Sequence, residues 1–222
     1  MNFEMCFFRP LFFLLTLFFL INHIGLAQNL SPAPVEKHEF GEGFYYGGIA
    51  SVGTGFYGGK ARDLFASPFL AKAGICLTWN QWFFEASGSF LNGRQKSDFQ
   101  LAGQDFTKND RYSIIGAQTN LGFWMPVSKN FWALPTLGLS YSYLMPGNKE
   151  LSDSKTIVQG QIGRPVMGIF LGKKLNNRTR DTETPHIEML GLRYEIIWPG
   201  LKDISGHMHQ ISFSITGLFS KK

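Results

Sequence analysis

Charged residues are scarce in this sequence of 222 residues, where Asp, Glu, Lys and Arg make up 17% against about 25% in soluble domains. This shortfall indicates a surface that faces something other than water. The net charge of +5 is scattered and forms no basic stripe, so nucleic acid is not an expected partner. Beyond Ala27, no apolar run approaches the ~20 residues of a membrane-spanning helix, which excludes a helical membrane domain.

The N-terminus has the pattern of a secretory signal peptide. An apolar run extends from Leu11 to Ile21, and the small residues Gly25 and Ala27 occupy the −3 and −1 positions before Gln28. A short apolar core followed by a small-x-small site is typical of signal cleavage, so we assign residues 1–27 to a cleaved signal peptide. Residues 28–43 are polar and contain proline, and we interpret them as a periplasmic leader.

Cysteine is nearly absent from the part of the chain that remains after this cleavage. Of two cysteines in the sequence, Cys6 is removed with the signal peptide and Cys76 is left alone. A single cysteine cannot form an intramolecular disulfide, so the exported protein is not a disulfide scaffold.

The remaining chain is dominated by segments in which apolar and small polar residues alternate, the period of a β-strand. Most of these segments are longer than globular strands, which average ~5–6 residues, and match the ~9–11 needed to cross a bilayer. We therefore predict about eight strands. They are 44–52, 69–79, 82–91, 112–125, 131–145, 162–173, 186–198 and 211–219.

The composition of the polar face decides which face points outward. A soluble barrel would place many Lys, Glu and Asp there, but this face carries mainly Gly, Ser, Thr, Gln and Asn. Such residues suit the narrow lumen of an eight-stranded barrel, while the apolar face would contact lipid. We therefore predict an all-β fold over residues 44–222: a closed antiparallel up-and-down transmembrane β-barrel. Its connections broadly alternate between short turns and long polar loops, as in outer-membrane barrels.

Two groups of residues test this assignment. The charged residues within strands are expected to point into the lumen and to pair there, because a Lys or Arg in mid-membrane on the lipid face would cost ~2–4 kcal/mol. These predicted lumen charges are Lys72, Glu85, Arg164, Arg193 and Glu195. Aromatic residues near strand ends are expected to lie at the membrane interfaces. These interfacial aromatics are Trp79, Trp82, Trp124, Trp132, Tyr143, Trp198 and Phe219.

Two further strand residues carry their own expectations. Glu188 falls on the apolar parity and is expected near the periplasmic interface. Pro135 lies within a predicted strand, where proline removes a ladder hydrogen bond, and a local bulge is expected there.

The sequence resembles the small bacterial outer-membrane β-barrel family that includes OmpA-like and PorT-like barrels. The resemblance is carried by the signal junction at Gly25 to Gln28, the glycine-rich first strand at Phe44 to Gly53, and the final alternating strand ending at Phe219. It implies a porin-like barrel in the outer membrane of a Gram-negative cell, in contact with outer-membrane lipid. It also implies periplasmic chaperones and the barrel-assembly machinery as partners, with an envelope or secretion-complex protein as a further candidate.

The one cluster with catalytic residue types is Asp203, Ser205, His207 and His209. Ser and His can form a nucleophile–base pair, but the local His–Ser–Asn signature of barrel lipid hydrolases is absent. The two histidines could share a metal, yet no third ligand is evident. We therefore assign no catalytic residue, metal site or cofactor.

The expected function is that of a non-enzymatic outer-membrane barrel with a structural or surface-binding role, or a place in an envelope or secretion complex. A pore is not expected, since water-filled channels belong to barrels of ~16 strands. The alternatives are an outer-membrane lipid hydrolase and a soluble, secreted, lipocalin-like ligand-binding barrel.

Overall fold

The computed structural model describes residues 43–101, 103–128, 130–146, 163–175, 186–198, 204 and 206–220. The predicted signal peptide and all but the last residue of the predicted leader lie outside the described residues. The elements are β1 (Phe44–Tyr57), α1 (Ala61–Leu64), β2 (Phe69–Trp79), β3 (Trp82–Arg94), β4 (Phe99–Leu101), β5 (Gln104–Phe106), β6 (Arg111–Phe123), β7 (Met125–Ser128), β8 (Phe131–Pro146), β9 (Arg164–Leu175), β10 (His186–Ile197) and β11 (Met208–Ser220).

The long strands form one closed antiparallel sheet. Each pairs with its sequence neighbours, β1 pairs with the last strand β11, and β7 continues the line of β6 along β8. The ring therefore has eight positions, and every long strand has a hydrogen-bonded partner on both sides. Closure removes the free edges that an open sheet would present. The predicted eight-stranded up-and-down barrel is confirmed.

The two ends of the barrel differ. At one end, here called the turn end, β1 begins and β11 finishes, and residues 80–81 join β2 to β3. Asn80 has φ of 53° in this turn, a left-handed conformation that asparagine tolerates well. At the opposite end, the loop end, residues 58–68 join β1 to β2 and residues 95–110 join β3 to β6, and β8 and β10 also finish there.

Two of the connections at the loop end carry structure of their own. The first contains the short helix α1, and the second contains the hairpin of β4 and β5. They are tied together by main-chain hydrogen bonds, such as Ala66 N to the Arg94 carbonyl at 2.8 Å and Lys96 N to the Leu64 carbonyl at 2.8 Å. Phe65, which follows α1, and Phe106 of β5 are almost completely buried. The connections therefore fold over the barrel mouth.

Pro135 interrupts a ladder without shifting its register. The β6–β8 pairing ends at Gly122 opposite Thr136, and the β7–β8 pairing resumes in the same register at Met125 opposite Ala133. The β8–β9 register continues through Pro135. The expected bulge at Pro135 is thus wrong. The register shift of this strand pair lies nearer the turn, between Pro126 and Ser128.

Strand bounds also differ from the sequence expectation. The first strand continues past Val52 to Tyr57, and β9 runs from Arg164 to Leu175 where 162–173 was predicted. Both segments carry apolar residues on both parities, so alternation alone marks their ends poorly.

Candidate functional site

The barrel interior contains a cluster of four charged side chains, here called the lumen quartet: Lys72, Glu85, Arg193 and Glu195. Their side chains are at most 2% exposed. Lys72 lies on β2, Glu85 on β3, and the other two on β10. Since β3 and β10 are four positions apart in the eight-membered ring, contacts between them cross the full width of the lumen.

Ion pairs connect all four members of the quartet. Lys72 Nζ lies 3.0 Å from Glu85 Oε1 and 2.9 Å from Glu195 Oε1. Arg193 Nη1 lies 2.6 Å from Glu85 Oε2 and 3.4 Å from Glu195 Oε1. Each cation therefore contacts both carboxylates, and the four formal charges cancel.

Neutral polar side chains complete this level of the lumen. Gln118 Nε2 donates to Glu195 Oε1 at 2.8 Å and to Asn120 Oδ1 at 3.1 Å, and Ser87 Oγ donates to Glu85 Oε1 at 2.8 Å. Buried charges are tolerated where their remaining hydrogen-bonding capacity is used. Gln118 and Ser87 are not among the site residues predicted from the sequence. Their positions could have identified them. Ser87 shares the inward-facing row of β3 with Glu85, and Gln118 lies on the inward-facing row of the neighbouring strand β6.

The structure places all five predicted lumen charges in the interior, but it does not bring them all together. Arg164 is buried near the loop end of β9 and donates a hydrogen bond to Ser142 on β8. It is therefore separate from the lumen quartet. Glu188 lies at the turn end of β10, on the outward parity.

Apolar clusters lie in the interior at both ends of the barrel. The turn-end cluster includes Trp124, Trp132, Phe83, Phe170 and Met189, and the rings of Phe83 and Phe170 meet Trp124 edge-on at 5.6 and 6.1 Å. The loop-end cluster is built around residues of the folded connections and strand ends. Its larger members are Phe65, Leu70, Leu91, Phe106, Tyr112, Leu144 and Met208.

The position of Trp124 and Trp132 corrects the sequence prediction. Both were expected at a membrane interface, but they are 0% and 5% exposed and lie inside the barrel. Trp124 Nε1 points to Thr78 Oγ1 at 3.4 Å. The reason is parity: Trp124 continues the inward row of β6, and Trp132 begins the inward row of β8. Proximity to a strand end indicates that these two residues lie near one end of the barrel, but it does not indicate whether they face the lumen or the outer surface.

The other predicted interfacial aromatics lie on the outer surface. Trp79, Trp82 and Phe219 are exposed at the turn end. Tyr143 and Trp198 are partly exposed near the loop end. Together with exposed Tyr46 and Phe131, the turn-end residues surround that rim.

The outer face between the two rims is apolar on every long strand. Exposed residues of this face include Val52, Ile75, Leu77, Phe84, Leu121, Leu137, Leu139, Leu192, Phe213 and Ile215. Within the described residues of the eight long strands, outward-facing charged residues occur only near the ends. Arg94 and Arg111 lie at the loop end, and Lys173 and Glu188 at the turn end.

The candidate catalytic cluster is only partly described. Asp203 and Ser205 lie outside the described residues. The ring of His207 stacks on Trp198, with ring centroids 5.1 Å apart and an angle of 6° between the planes. The ring of His209 contacts the His207 ring edge-on, with centroids 4.6 Å apart. His209 Nδ1 and the Tyr194 hydroxyl are 2.6 Å apart. Partial burial lowers the pKa of His207, which favours its neutral form.

The described residues offer no helix long and apolar enough to span a membrane. In the part of the chain that the structure covers, no group of three or more His, Cys, Asp or Glu side chains could hold a metal ion. Cys76 is a buried free thiol on the inward face of β2.

Comparison with known proteins gives similarities of fold only. No family model matches the sequence, and no curated protein sequence matches it. Among solved structures, Neisserial surface protein A is 12% identical, with 79% of this chain and 96% of that chain covered and a TM-score of 0.48. OprG, an outer membrane protein from Pseudomonas aeruginosa, is 11% identical, with 82% and 99% covered and a TM-score of 0.41.

A third similar structure is Ail, the attachment invasion locus protein of Yersinia pestis, in complex with the heparin analogue sucrose octasulfate. It is 13% identical, with 80% of this chain and 98% of that chain covered and a TM-score of 0.39.

Proposed function

We propose that this protein is a non-enzymatic barrel of the bacterial outer membrane, exported by a cleaved signal peptide. The observation that carries the proposal is the outer face of the barrel, where apolar side chains cover every long strand and charges occur only near the ends. Soluble monomers rarely expose continuous apolar patches of more than a few hundred Å². A bilayer would cover this band, and closure satisfies the backbone hydrogen bonds that lipid cannot satisfy.

The filled lumen argues against a channel. A path along the axis would have to pass the turn-end cluster around Trp124, then the lumen quartet, then the loop-end cluster around Phe65. The same filling disfavours a lipocalin-like barrel, which needs a hollow interior for its ligand. We therefore assign the protein a structural or surface-binding role, or a place in an envelope or secretion complex, performed by its loops and outer surface.

A lipid hydrolase is the weaker alternative. His207 is stacked on Trp198, and His209 lies within hydrogen-bonding distance of the Tyr194 hydroxyl. These contacts give the histidines a packing role at the loop end. Replacing His207 with alanine should leave the lipid A profile unchanged by mass spectrometry, and an altered profile would revive the hydrolase.

The proposal is tested by fractionation and gel migration of the full chain. The protein should remain in the membrane pellet after carbonate extraction, and it should migrate faster before boiling in detergent than after, since the closed barrel resists detergent until heated. Release into the carbonate supernatant would contradict a membrane location. In that case the protein would be a soluble barrel with an unusually apolar surface.

A further inference from the structure

Two arginines face each other on the outer surface at the loop end. Arg94 on β3 and Arg111 on β6 are register partners, the last pair of that ladder, and both are exposed. Among the described side chains, no carboxylate forms an ion pair with either one. Like charges directly opposite one another on neighbouring strands are destabilising, so an anion bound between them would relieve the repulsion.

Polarity changes in steps beneath this arginine pair. The next outward pair below is Asn92 and Ser113, joined by a hydrogen bond of 3.0 Å from Asn92 Nδ2 to Ser113 Oγ. Below that lie Phe90 and Ile115, both exposed. Over four residues the surface changes from apolar to neutral polar to cationic. The same order is found between the acyl chains and the phosphates of a lipid leaflet.

An apolar groove of about 720 Å³ lies on the outer face below the pair. Its floor is low because small residues are register partners on neighbouring strands: Ala50 opposite Ala73, and Ala73 opposite Gly88. Phe90 and Ile115 also line the groove, which links it directly to the polarity steps above.

The distance from the groove floor to the arginine pair fits one leaflet. Arg94 is six positions after Gly88 on β3, which is about 20 Å along a strand. With a strand tilt of about 45°, this becomes about 14 Å of depth, close to half of a hydrocarbon core ~30 Å thick. If the groove floor is near the bilayer centre, the two guanidinium groups are at the level of the phosphates.

We propose that Arg94 and Arg111 bind the phosphate of an anionic lipid headgroup in the leaflet at the loop end, with an acyl chain of that lipid in the groove over Ala73 and Gly88. The inference rests on the proposed membrane location. Guanidinium groups are suited to this role because they donate paired hydrogen bonds to phosphate oxygens. The site is a surface one, so the lipid would exchange with the surrounding bilayer.

The test compares the full barrel refolded into phosphatidylcholine vesicles and into vesicles of equal parts phosphatidylcholine and phosphatidylglycerol. Urea unfolding is followed by heat-modifiable migration. We expect the anionic vesicles to raise the ratio of folded to unfolded protein by about twenty-fivefold more for the natural protein than for Arg94→Gln/Arg111→Gln, since each of the two arginines near an anionic surface contributes about a fivefold factor.

Matched variants separate the site from general charge effects. Lys60→Gln/Arg62→Gln removes the same charge from the exposed loop around α1 and should keep the preference for anionic vesicles. Arg94→Lys/Arg111→Lys conserves the charge at the site and should keep most of that preference. Gly88→Leu should weaken the preference by filling the groove. A Cβ at Gly88 would have no neighbour nearer than 3.9 Å, so this variant is expected to fold.

Four results would overturn the lipid site. Equal stability of the natural protein in both vesicles would do so while leaving the membrane location intact. If the Lys60/Arg62 and Arg94/Arg111 glutamine variants lost the preference for anionic vesicles equally, that preference would depend on net charge alone. If inorganic phosphate added to phosphatidylcholine vesicles produced the same stabilisation, the site would be assigned to a free anion. Failure of the natural protein to insert into either vesicle would remove the lipid site and the proposed function together.

Discussion

Removing one cation from the lumen quartet should strongly destabilise the barrel. Arg193→Met keeps an unbranched apolar stem but removes the guanidinium group, which leaves Glu85 and Glu195 to share Lys72, whose Nζ lies 3.0 and 2.9 Å from their Oε1 atoms. A buried carboxylate then lacks full compensation, a change that costs about 3–5 kcal/mol in comparable networks. Glu85→Gln creates the opposite imbalance and should cost a similar amount.

The double variant tests whether charge balance is the cause. In Arg193→Met/Glu85→Gln the remaining Lys72 and Glu195 form one neutral pair at 2.9 Å, and no net charge is left in the quartet. The penalty should therefore be smaller than the sum of the single penalties, by about 2–3 kcal/mol, the upper part of the range for directly interacting side chains. Arg62→Met, with 74% of the side chain exposed, is the control and should change stability by less than about 0.5 kcal/mol.

The measurement is urea unfolding of the four variants and the natural protein in the same vesicles, with the folded fraction read from heat-modifiable migration. Strictly additive penalties would refute the coupling of Arg193 to Glu85 across the lumen. A penalty below about 1 kcal/mol for Arg193→Met would show that water compensates the remaining charge. The lumen would then be open to solvent at this level.

Three further predictions address the outer face, the turn-end cluster and the loop end. Ile75→Arg places a charge in the middle of the outer face and should cost about 2–4 kcal/mol in a bilayer, whereas Phe56→Arg near the loop end should cost about 0–1; equal and negligible costs would indicate a water-exposed face. Trp124→Ala should cost about 3–5 kcal/mol but produce no ion conductance in planar bilayers, because the lumen quartet and the loop-end cluster remain. Because the pKa of His207 is lowered in the folded protein, its contribution to stability should be complete above about pH 6.5 and decline as the pH falls below it. His207→Phe should reduce that slope, and an unchanged pH profile of unfolding would contradict this.

The architecture could be predicted from the sequence because period-two alternation is a direct consequence of strand geometry. Residues such as Phe213 and Ser214, or Leu139 and Ser140, alternate so regularly that strand, face and closure follow together. The charged residues were informative for the same reason. Lys72, Glu85, Arg193 and Glu195 lie within strands, and the energetic cost of a charge in lipid leaves only one side of the barrel wall for them.

The contents of the barrel ends could not be derived in the same way. Trp124 and Trp132 share residue type and height with Trp79 and Trp82, and only the parity of the strand separates the inner pair from the outer pair. Near the break between β6 and β7 both parities are apolar, so alternation no longer indicates the side. The folded loop-end connections could not be predicted either, because Phe65 and Phe106 belong to one buried cluster through tertiary packing across 41 residues of sequence.

The distribution of charge links the interior to the surface. The lumen quartet has no net charge and lies between the turn-end and loop-end apolar clusters, so a solute would have to pass all three to cross the barrel. The uncompensated strand charges are instead at the rims, where Arg94 and Arg111 stand together without a described carboxylate partner. A repulsive pair at such a position is a cost to the isolated barrel, and it becomes a contribution to binding only where anions are supplied by the surroundings. In the proposed lipid site, binding therefore takes place at the loop-end rim, above the filled lumen.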